Sequence, residues 1–283
     1  MEIKNVAVVG AGTMGNGIAH VFAQNDFSVS LIDVEQKYLD KAIQTITKNL
    51  DRQVKKGIIT EEKKKNTLEN ISTLEGVNKI DRNTDLVIEA IIEEKEAKIN
   101  LFNKLKDLVK EDSIFASNTS AISITELGSI AKSDRFIGMH FMNPVPVMKL
   151  VEIIRGYDTS DETYDTIKEL TLKLNKTPVE VHDYPGFVAN RILMPMINEA
   201  IFALMEGVAN AEDIDTVMKL GMNHPMGPLT LADFIGLDVC LAIINVLYDG
   251  FNDPKYRPCP LLKKMVAAKK LGRKTGEGFF KYD

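Results

Sequence analysis

One histidine and one glutamate interrupt two short apolar runs. His140 ends the run FIGMH, and Glu152 lies inside the run KLVEII on the next stretch of chain. A buried imidazole and a buried carboxylate are each costly alone and much less costly as a pair. A histidine oriented by a carboxylate can serve as a general acid and base, for example when hydride leaves an alcohol. A purely structural contact would use the same two residue types, so the pair alone leaves both interpretations open.

A glycine-rich turn follows the first apolar run of the chain. The residues Gly10, Gly12 and Gly15 of GAGTMG come after a strand pattern and open a helix pattern, which is the context that a dinucleotide-binding turn requires. The helix terminus offers N–H groups and a positive dipole end to phosphates. Asp33, at the end of the second strand pattern, suits the adenosine ribose hydroxyls. Because Val34 rather than arginine follows it, the motif favours NAD over NADP.

A third polar stretch, Ser117-Asn118-Thr119-Ser120, follows another strand pattern. The carboxyl ends of parallel strands are where such sheets bind ligands. These hydroxyl and amide groups could therefore bond a substrate oxygen or the nicotinamide. Ser and Thr are also preferred helix caps, and the spacing does not decide between the two interpretations.

Alternating strand and helix patterns must position these groups. Strands alternating with helices predict parallel β-α-β units with right-handed crossovers. We expect strands over residues 5–9, 28–33, 71–74, 85–89, 113–116, 136–140, 149–154 and 178–181. We expect helices between them over residues 13–24, 35–56, 61–68, 93–109 and 161–175.

The pattern changes near residue 184. Helix patterns follow over residues 187–206, 211–220, 229–247 and 261–269, punctuated by prolines and glycines. We therefore predict an α/β Rossmann-like domain over residues 1–183 and an all-α domain over residues 184–283. Asn190 opens the second domain and either reaches a cleft between the domains or lies on a helix surface.

The composition limits the possible partners. The net charge of −5 and the pI near 5.6 come without a basic block, which argues against nucleic acid. The sequence has no apolar run long enough to span a bilayer, no signal-peptide pattern, and no spacing of metal ligands. We expect a cytoplasmic protein without a metal centre, with Cys240 and Cys259 as free thiols.

Six stretches together identify a family resemblance. GAGTMG, DLVIEA, ASNTSAISIT, GMHFMNPVPVMKLVEII, PGFVANRIL and HPMGPLTLADFIGLD resemble the 3-hydroxyacyl-CoA dehydrogenases, and the similarity runs from Asn5 to the final GEGFFKYD. It is strongest to bacterial enzymes of the 3-hydroxybutyryl-CoA type. The resemblance implies NAD-dependent interconversion of (S)-3-hydroxybutyryl-CoA and acetoacetyl-CoA.

The resemblance also implies roles for individual residues. His140 would be the general acid and base and Glu152 its partner, with Ser120 and Asn190 bonding the substrate oxygen or holding the reacting groups. The residues implied at the cofactor are Gly10, Gly12, Thr13, Met14, Gly15, Asp33, Ala90, Glu93, Lys98, Asn118, Ser120 and Asn143. The lysines that would meet the phosphates of CoA are Lys48, Lys55 and Lys56, although a solvated helix face would look the same.

The helical domain resembles the dimerisation domain of this family, so we expect a homodimer or a larger homo-oligomer. Two other functions remain compatible with the sequence. One is a dehydrogenase of the same plan that acts on a free hydroxy acid. The other is a structural lens-type protein that keeps the fold, although such a protein would not need all four of Ser120, His140, Glu152 and Asn190.

Overall fold

The computed structural model describes residues 1–282, and its contacts divide the chain into two compact units. Unit 1 comprises Met1–Asp183 and unit 2 begins at Tyr184. Unit 1 is an α/β Rossmann-like unit and unit 2 is helical, so the predicted fold class is confirmed.

One eight-stranded sheet forms the centre of unit 1. Its strands are β1 Asn5–Val9, β2 Ser28–Asp33, β3 Ile71–Glu75, β4 Leu86–Glu89, β5 Ile114–Ser117, β6 Phe136–Phe141, β7 Leu150–Arg155 and β8 Thr177–His182. The spatial order is β3-β2-β1-β4-β5-β6-β7-β8. Strands β4, β5 and β6 are buried along their whole length, as expected for strands in a sheet covered on both faces.

One neighbouring pair of strands departs from the parallel arrangement that alternating strands and helices predict. Strands β6 and β7 pair antiparallel, while every other neighbouring pair is parallel. A parallel pair needs a crossover of a dozen or more residues, usually through a helix. Only residues 142–149 connect β6 to β7, and they contain no helix. The chain therefore reverses direction there.

Six helices accompany the sheet in unit 1. They are α1 Thr13–Gln24, α2 Gln36–Lys55, α3 Glu61–Glu69, α4 Lys95–Leu105, α5 Ile124–Gly128 and α6 Asp161–Lys173. Helix α2 buries only Leu39, Ala42, Ile46 and Leu50, whose spacing of three and four residues forms one stripe. Its other faces carry polar residues, which explains why a long, lysine-rich helix is stable on the surface of the unit.

Within residues 184–282, unit 2 has five α-helices packed on a core of their own. They are α7 Ala189–Met205, α8 Ala211–Thr216, α9 Pro228–Ile235, α10 Leu237–Phe251 and α11 Pro260–Ala267. The single helix expected over residues 229–247 is therefore wrong. Gly236, at a φ of 104°, separates α9 from α10, and the two axes differ by 99°. This backbone conformation is readily available to glycine and strained for other residues.

Neither a single membrane-spanning helix nor a cluster of metal-ligand side chains is present within residues 1–282. No single helix in this range is both long and apolar enough to cross a bilayer. The bent pair α9 and α10 reaches that length and apolar composition only when the two helices are taken together. No group of three or more His, Cys, Asp or Glu side chains in the same range is arranged to hold a metal ion. Both cysteines are free and buried.

Candidate active site

The glycine turn between β1 and α1 leaves no room for side chains at two positions. Gly10 has a φ of 105°, and a Cβ atom there would lie 2.4 Å from the carbonyl oxygen of Ala90. A Cβ atom on Gly15 would lie 1.7 Å from the carbonyl oxygen of Gly10. A Cβ atom on Gly12, by contrast, would meet nothing within 4 Å. The turn is therefore tight against β4 but open at Gly12, where α1 begins.

Asp33, at the end of the neighbouring strand β2, bonds to the backbone of this turn. Its Oδ2 atom accepts a hydrogen bond from the Ala11 N–H at 2.6 Å, and its Oδ1 atom accepts one from the Val34 N–H at 2.7 Å. The carboxylate thus holds the backbone of the glycine turn in place. Each carboxylate oxygen can accept more than one bond, so both keep capacity for a further donor.

A buried ionic group lies at the carboxyl end of β4. The Lys98 ammonium group contacts Glu89 Oε1 at 2.6 Å and Glu93 Oε2 at 3.1 Å. Lys98 and Glu89 are almost completely buried. Burial raises the pKa of Glu89, and the contact with Lys98 opposes that rise. The ammonium group lowers the cost of burying the Glu89 carboxylate, and it also holds the exposed Glu93 carboxylate beside it.

The two carboxylates that contact Lys98 also hold the loop after β5. The Ser117 hydroxyl donates to Glu89 Oε2 at 2.6 Å. Glu93 Oε1 accepts from the Thr119 hydroxyl at 2.5 Å and from the Ser120 N–H at 2.8 Å. These bonds determine the position of the Ser120 backbone. The hydroxyl-rich loop predicted after the strand is therefore anchored by the buried carboxylate of Glu89 and the exposed carboxylate of Glu93.

Strand β6 carries the histidine beside this loop. Asn118 Oδ1 accepts a hydrogen bond from the Phe141 N–H at 3.0 Å, which ties the loop to the residue after His140. In the antiparallel register His140 lies directly opposite Glu152, and His140 Nδ1 is 2.7 Å from Glu152 Oε2. Both side chains are buried. The arrangement gives an imidazole in a fixed orientation close to the loop that carries Ser120.

Comparisons with known proteins agree with this geometry. Residues 5–184 match the NAD-binding domain of 3-hydroxyacyl-CoA dehydrogenases, and residues 186–282 match the C-terminal domain of that family. The chain belongs to the 3-hydroxyacyl-CoA dehydrogenase family. It is therefore an NAD-binding oxidoreductase, and the predictions of family, enzyme class and cofactor are confirmed.

Individual relatives of the 3-hydroxyacyl-CoA dehydrogenase family match over nearly the whole chain. The 3-hydroxybutyryl-CoA dehydrogenase of Bradyrhizobium diazoefficiens is 53% identical over 281 residues, which cover 99% of this chain and 96% of that protein. The mitochondrial hydroxyacyl-coenzyme A dehydrogenase of Homo sapiens is 42% identical, with 99% and 91% covered. The crystal structure of the (S)-3-hydroxybutyryl-CoA dehydrogenase of Ralstonia eutropha superposes with a TM-score of 0.96 at 50% identity, covering both chains completely.

The structure brings most of the predicted cofactor residues of this family member to one edge of the sheet. The glycine turn, Thr13 and Met14 lie at the start of α1, and Asp33 lies at the end of β2. Ala90 follows β4, and Asn118 follows β5. Asn143 is exposed in the connection after β6, where a cis peptide bond joins it to Pro144.

The remaining predicted residues lie elsewhere. Lys48 and Lys55 are exposed on α2, and Lys56 is exposed directly after it. No ion pair within residues 1–282 involves any of the three. Asn190 belongs to unit 2, where it is buried in the first turn of α7.

One residue of this dehydrogenase site was missed by reasoning from the sequence. Glu89 holds Lys98 and, through Ser117, the hydroxyl-rich loop, but it was not singled out. A signal was present for Glu89, because a carboxylate at the end of the apolar run DLVIE resembles the placement of Glu152. Ser117 was singled out as part of the polar stretch at the end of β5, where it was expected to bond substrate or cofactor; its bond to Glu89 was not expected.

Proposed function

We propose that this protein interconverts (S)-3-hydroxybutyryl-CoA and acetoacetyl-CoA, with His140 as the general acid and base and Glu152 as its orienting partner. The observation that carries the proposal is the 2.7 Å contact between His140 Nδ1 and Glu152 Oε2 at the sheet edge that also carries the glycine turn. Relatives that bear the name 3-hydroxybutyryl-CoA dehydrogenase support the choice of substrate.

The residues at the sheet edge fit NAD. The open space at Gly12 and the start of α1 suit a pyrophosphate, since no side chain bonds the first amides of this helix. The Asp33 carboxylate keeps acceptor capacity for ribose hydroxyls. When bound there, NADH would supply the hydride that reduces the C3 ketone.

His140 would transfer the proton to and from the C3 oxygen. An ionised Glu152 can only accept hydrogen bonds, so Nδ1 of His140 carries a hydrogen in this contact. Nε2 is then the ring nitrogen that gives a proton to the C3 oxygen in reduction and removes it in oxidation. The carboxylate holds the ring orientation and stabilises the imidazolium form, which is the role of the acid in a hydrogen-bonded His–carboxylate pair.

Ser120 would contribute a hydrogen bond to the same oxygen. Its backbone is held by Glu93, which in turn is held by Lys98, so the hydroxyl-bearing residue starts from a fixed position. Preorganised donors stabilise developing negative charge most effectively where water is excluded. Asn190 would add a second donor from unit 2, and Glu93, Lys98, Asn118 and Asn143 would border the nicotinamide half of the cofactor.

The exposed lysines near the end of α2 would meet the phosphates of CoA. Lys48, Lys55 and Lys56 leave their ammonium groups without an acidic partner in the described chain, so they can pair with a polyanion. Replacing all three with Gln should raise KM for acetoacetyl-CoA and leave kcat nearly unchanged. An unchanged KM would remove these residues from the proposal.

Unit 2 would form a two-fold homodimer. Several of its apolar side chains are highly exposed, among them Leu220 at 83%, Val208 at 74% and Ile192 at 68%. Clusters of exposed apolar side chains are typical of interfaces. Light scattering should give a mass twice that of the 31.5 kDa chain, and a monomer would contradict this part of the proposal.

The decisive experiment follows absorbance at the NADH band with acetoacetyl-CoA. Parallel reactions use NADPH in place of NADH and free acetoacetate in place of the thioester. Rapid oxidation of NADH with the thioester alone is the expected result. Turnover of free acetoacetate at the same rate would favour the hydroxy-acid dehydrogenase, and no turnover with any pair would favour the structural lens-type protein.

A further inference from the structure

Unit 1 has a cavity of about 610 Å³ at the end of α1 away from the glycine turn. Residues from the end of α1, from α3, from the connection after β6 and from the end of α6 line it. Helix α1 has twelve residues, so its two ends are about 18 Å apart at 1.5 Å per residue. The cavity is thus separate from the turn that fits NAD.

Four lysines face this cavity, which we call the lysine pocket: Lys63, Lys149, Lys173 and Lys176. The lining contains one carboxylate, Asp26, and both of its oxygens bond the Lys63 ammonium group, at 2.8 and 2.9 Å. No ion pair within residues 1–282 involves the other three lysines. The lysine pocket therefore concentrates positive charge that the surrounding side chains do not neutralise, in a protein whose net charge is negative.

Lys176 distinguishes the lysine pocket from an ordinary solvated surface. Its side chain is buried, and its ammonium group donates to the carbonyl oxygens of Val145 at 2.6 Å and Met148 at 2.7 Å. An ammonium group has three donors, and these two bonds use two of them. Burial lowers the pKa of Lys176, which shows that the charged form is held there at a cost. An anion in the pocket would offset that cost.

The walls of the lysine pocket are also fixed. Asn175 donates from its side-chain amide to Asn25 Oδ1 at 3.0 Å, which joins the end of α6 to the end of α1. The packing of Val145 against Gly17 holds the connection after β6 against α1, because a Cβ atom on that glycine would lie 2.9 Å from Val145 Cβ. The connection after β6 and the end of α6, which carry three of the four lysines, therefore hold a stable position against α1 within unit 1.

We propose that the lysine pocket binds a di- or triphosphate group, either free or as part of a nucleotide. The volume lies within the range of about 300–1,000 Å³ that is usual for small-molecule sites. Ammonium groups converging from several segments form charge-assisted bonds to phosphate oxygens. The remaining polar lining, which includes Gln24, Asn25 and Asn175, suits the hydroxyl and base atoms of a nucleoside. The lysine pocket would take no part in hydride transfer.

Calorimetric titration of the full-length protein with sodium pyrophosphate and, separately, with ADP tests the proposal. Saturating NAD+ and acetoacetyl-CoA are present throughout. They cannot react with each other because both are oxidised, and they occupy the dinucleotide site and the proposed CoA site, so the titrants report on neither. We expect one binding event per chain that weakens as ionic strength rises. Equal affinity for the two ligands would identify the phosphates as the recognised group, whereas tighter binding of ADP would assign the nucleoside a share. An absence of binding by both at millimolar concentration would overturn the proposal.

Charge-reversal variants distinguish phosphate binding in the lysine pocket from non-specific attraction to positive charge elsewhere on the surface. K149E and K173E change exposed residues, so the fold should tolerate both, and each should weaken binding about tenfold or more because a like charge then faces the phosphates. K168E is the matched control, since Lys168 is exposed on the same helix as Lys173 but does not line the cavity. Equal losses in K168E and K173E would contradict a localised site.

Discussion

His140 and Glu152 lie directly opposite each other on the antiparallel strands β6 and β7, with Nδ1 and Oε2 2.7 Å apart. Opposite residues on one face of an antiparallel pair keep their Cβ atoms about 4.5–5.5 Å apart, close enough for a direct side-chain bond. Because strand pairing sets this distance, the pair does not depend on a flexible loop. The backbone register thus fixes the orientation of the imidazole.

Replacing His140 with Gln should lower kcat by about 10²–10⁴-fold, the usual size of acid–base catalysis. Glutamine can still bond to Glu152 but cannot exchange a proton near neutral pH. The dissociation constant of NADH, measured by fluorescence, should stay close to the wild-type value because His140 lies outside the glycine turn. Turnover near the wild-type rate would contradict the role proposed for His140.

Replacing Asp33 with Asn should shift cofactor preference toward NADPH. The carboxylate repels a 2′-phosphate, and the amide removes the charge while keeping an oxygen for the Ala11 or Val34 N–H. We expect the ratio of kcat/KM for NADPH to that for NADH to rise about tenfold or more, since juxtaposed like charges cost several kcal/mol. Asp40→Asn on α2 is the control and should leave the ratio unchanged.

Replacing Lys98 with Met should destabilise the protein by about 3–5 kcal/mol, because removal of one partner leaves buried carboxylate charge uncompensated. Urea unfolding followed by circular dichroism measures the change. Lys104, exposed on the same helix, provides the matched control, and Lys104→Met should change the unfolding free energy by less than about 0.5 kcal/mol. Equal stability of the two variants would show that the buried group is not a stabilising element.

His20 should make the stability of the protein depend on pH. It is completely buried in α1, its Nδ1 atom has no hydrogen-bond partner, and burial lowers its pKa from 6.5 to about 4. The folded state keeps this ring neutral below pH 6.5, while the unfolded chain binds a proton. Stability is therefore lost as pH falls from 6.5 toward 4, by about 3 kcal/mol at 1.36 kcal/mol per pKa unit.

The variant His20→Leu isolates this contribution. Carboxylates also titrate in the acid range, but the difference between variant and wild type cancels them. Thermal unfolding between pH 7.5 and 4.5 should show a weaker loss of stability in the variant, with similar stability of both proteins at pH 7.5. Parallel curves for the two proteins would mean that water or a structural change lets the ring protonate in the folded state.

Local sequence patterns predicted much of unit 1, because they indicate which residues must be buried and where the backbone must turn. The glycine turn is an example: Gly10 and Gly15 have no space for a Cβ atom, and that requirement is visible as GAGTMG in the sequence. The run LVIE likewise marked β4. The break between α9 and α10 was missed, since Gly236 lies between apolar residues whose spacing is equally compatible with one longer helix.

The sequence by itself determined the kinds of chemistry available: a dinucleotide turn, an acidic residue at the second strand, and a histidine with a carboxylate on the next strand. Only the tertiary structure decided how these groups meet. The antiparallel pairing of β6 with β7, the anchoring of Lys98 by Glu89, and the convergence of four lysines at the end of α1 all join residues from separate segments. Contacts of this kind depend on strand order and register, which no local pattern encodes.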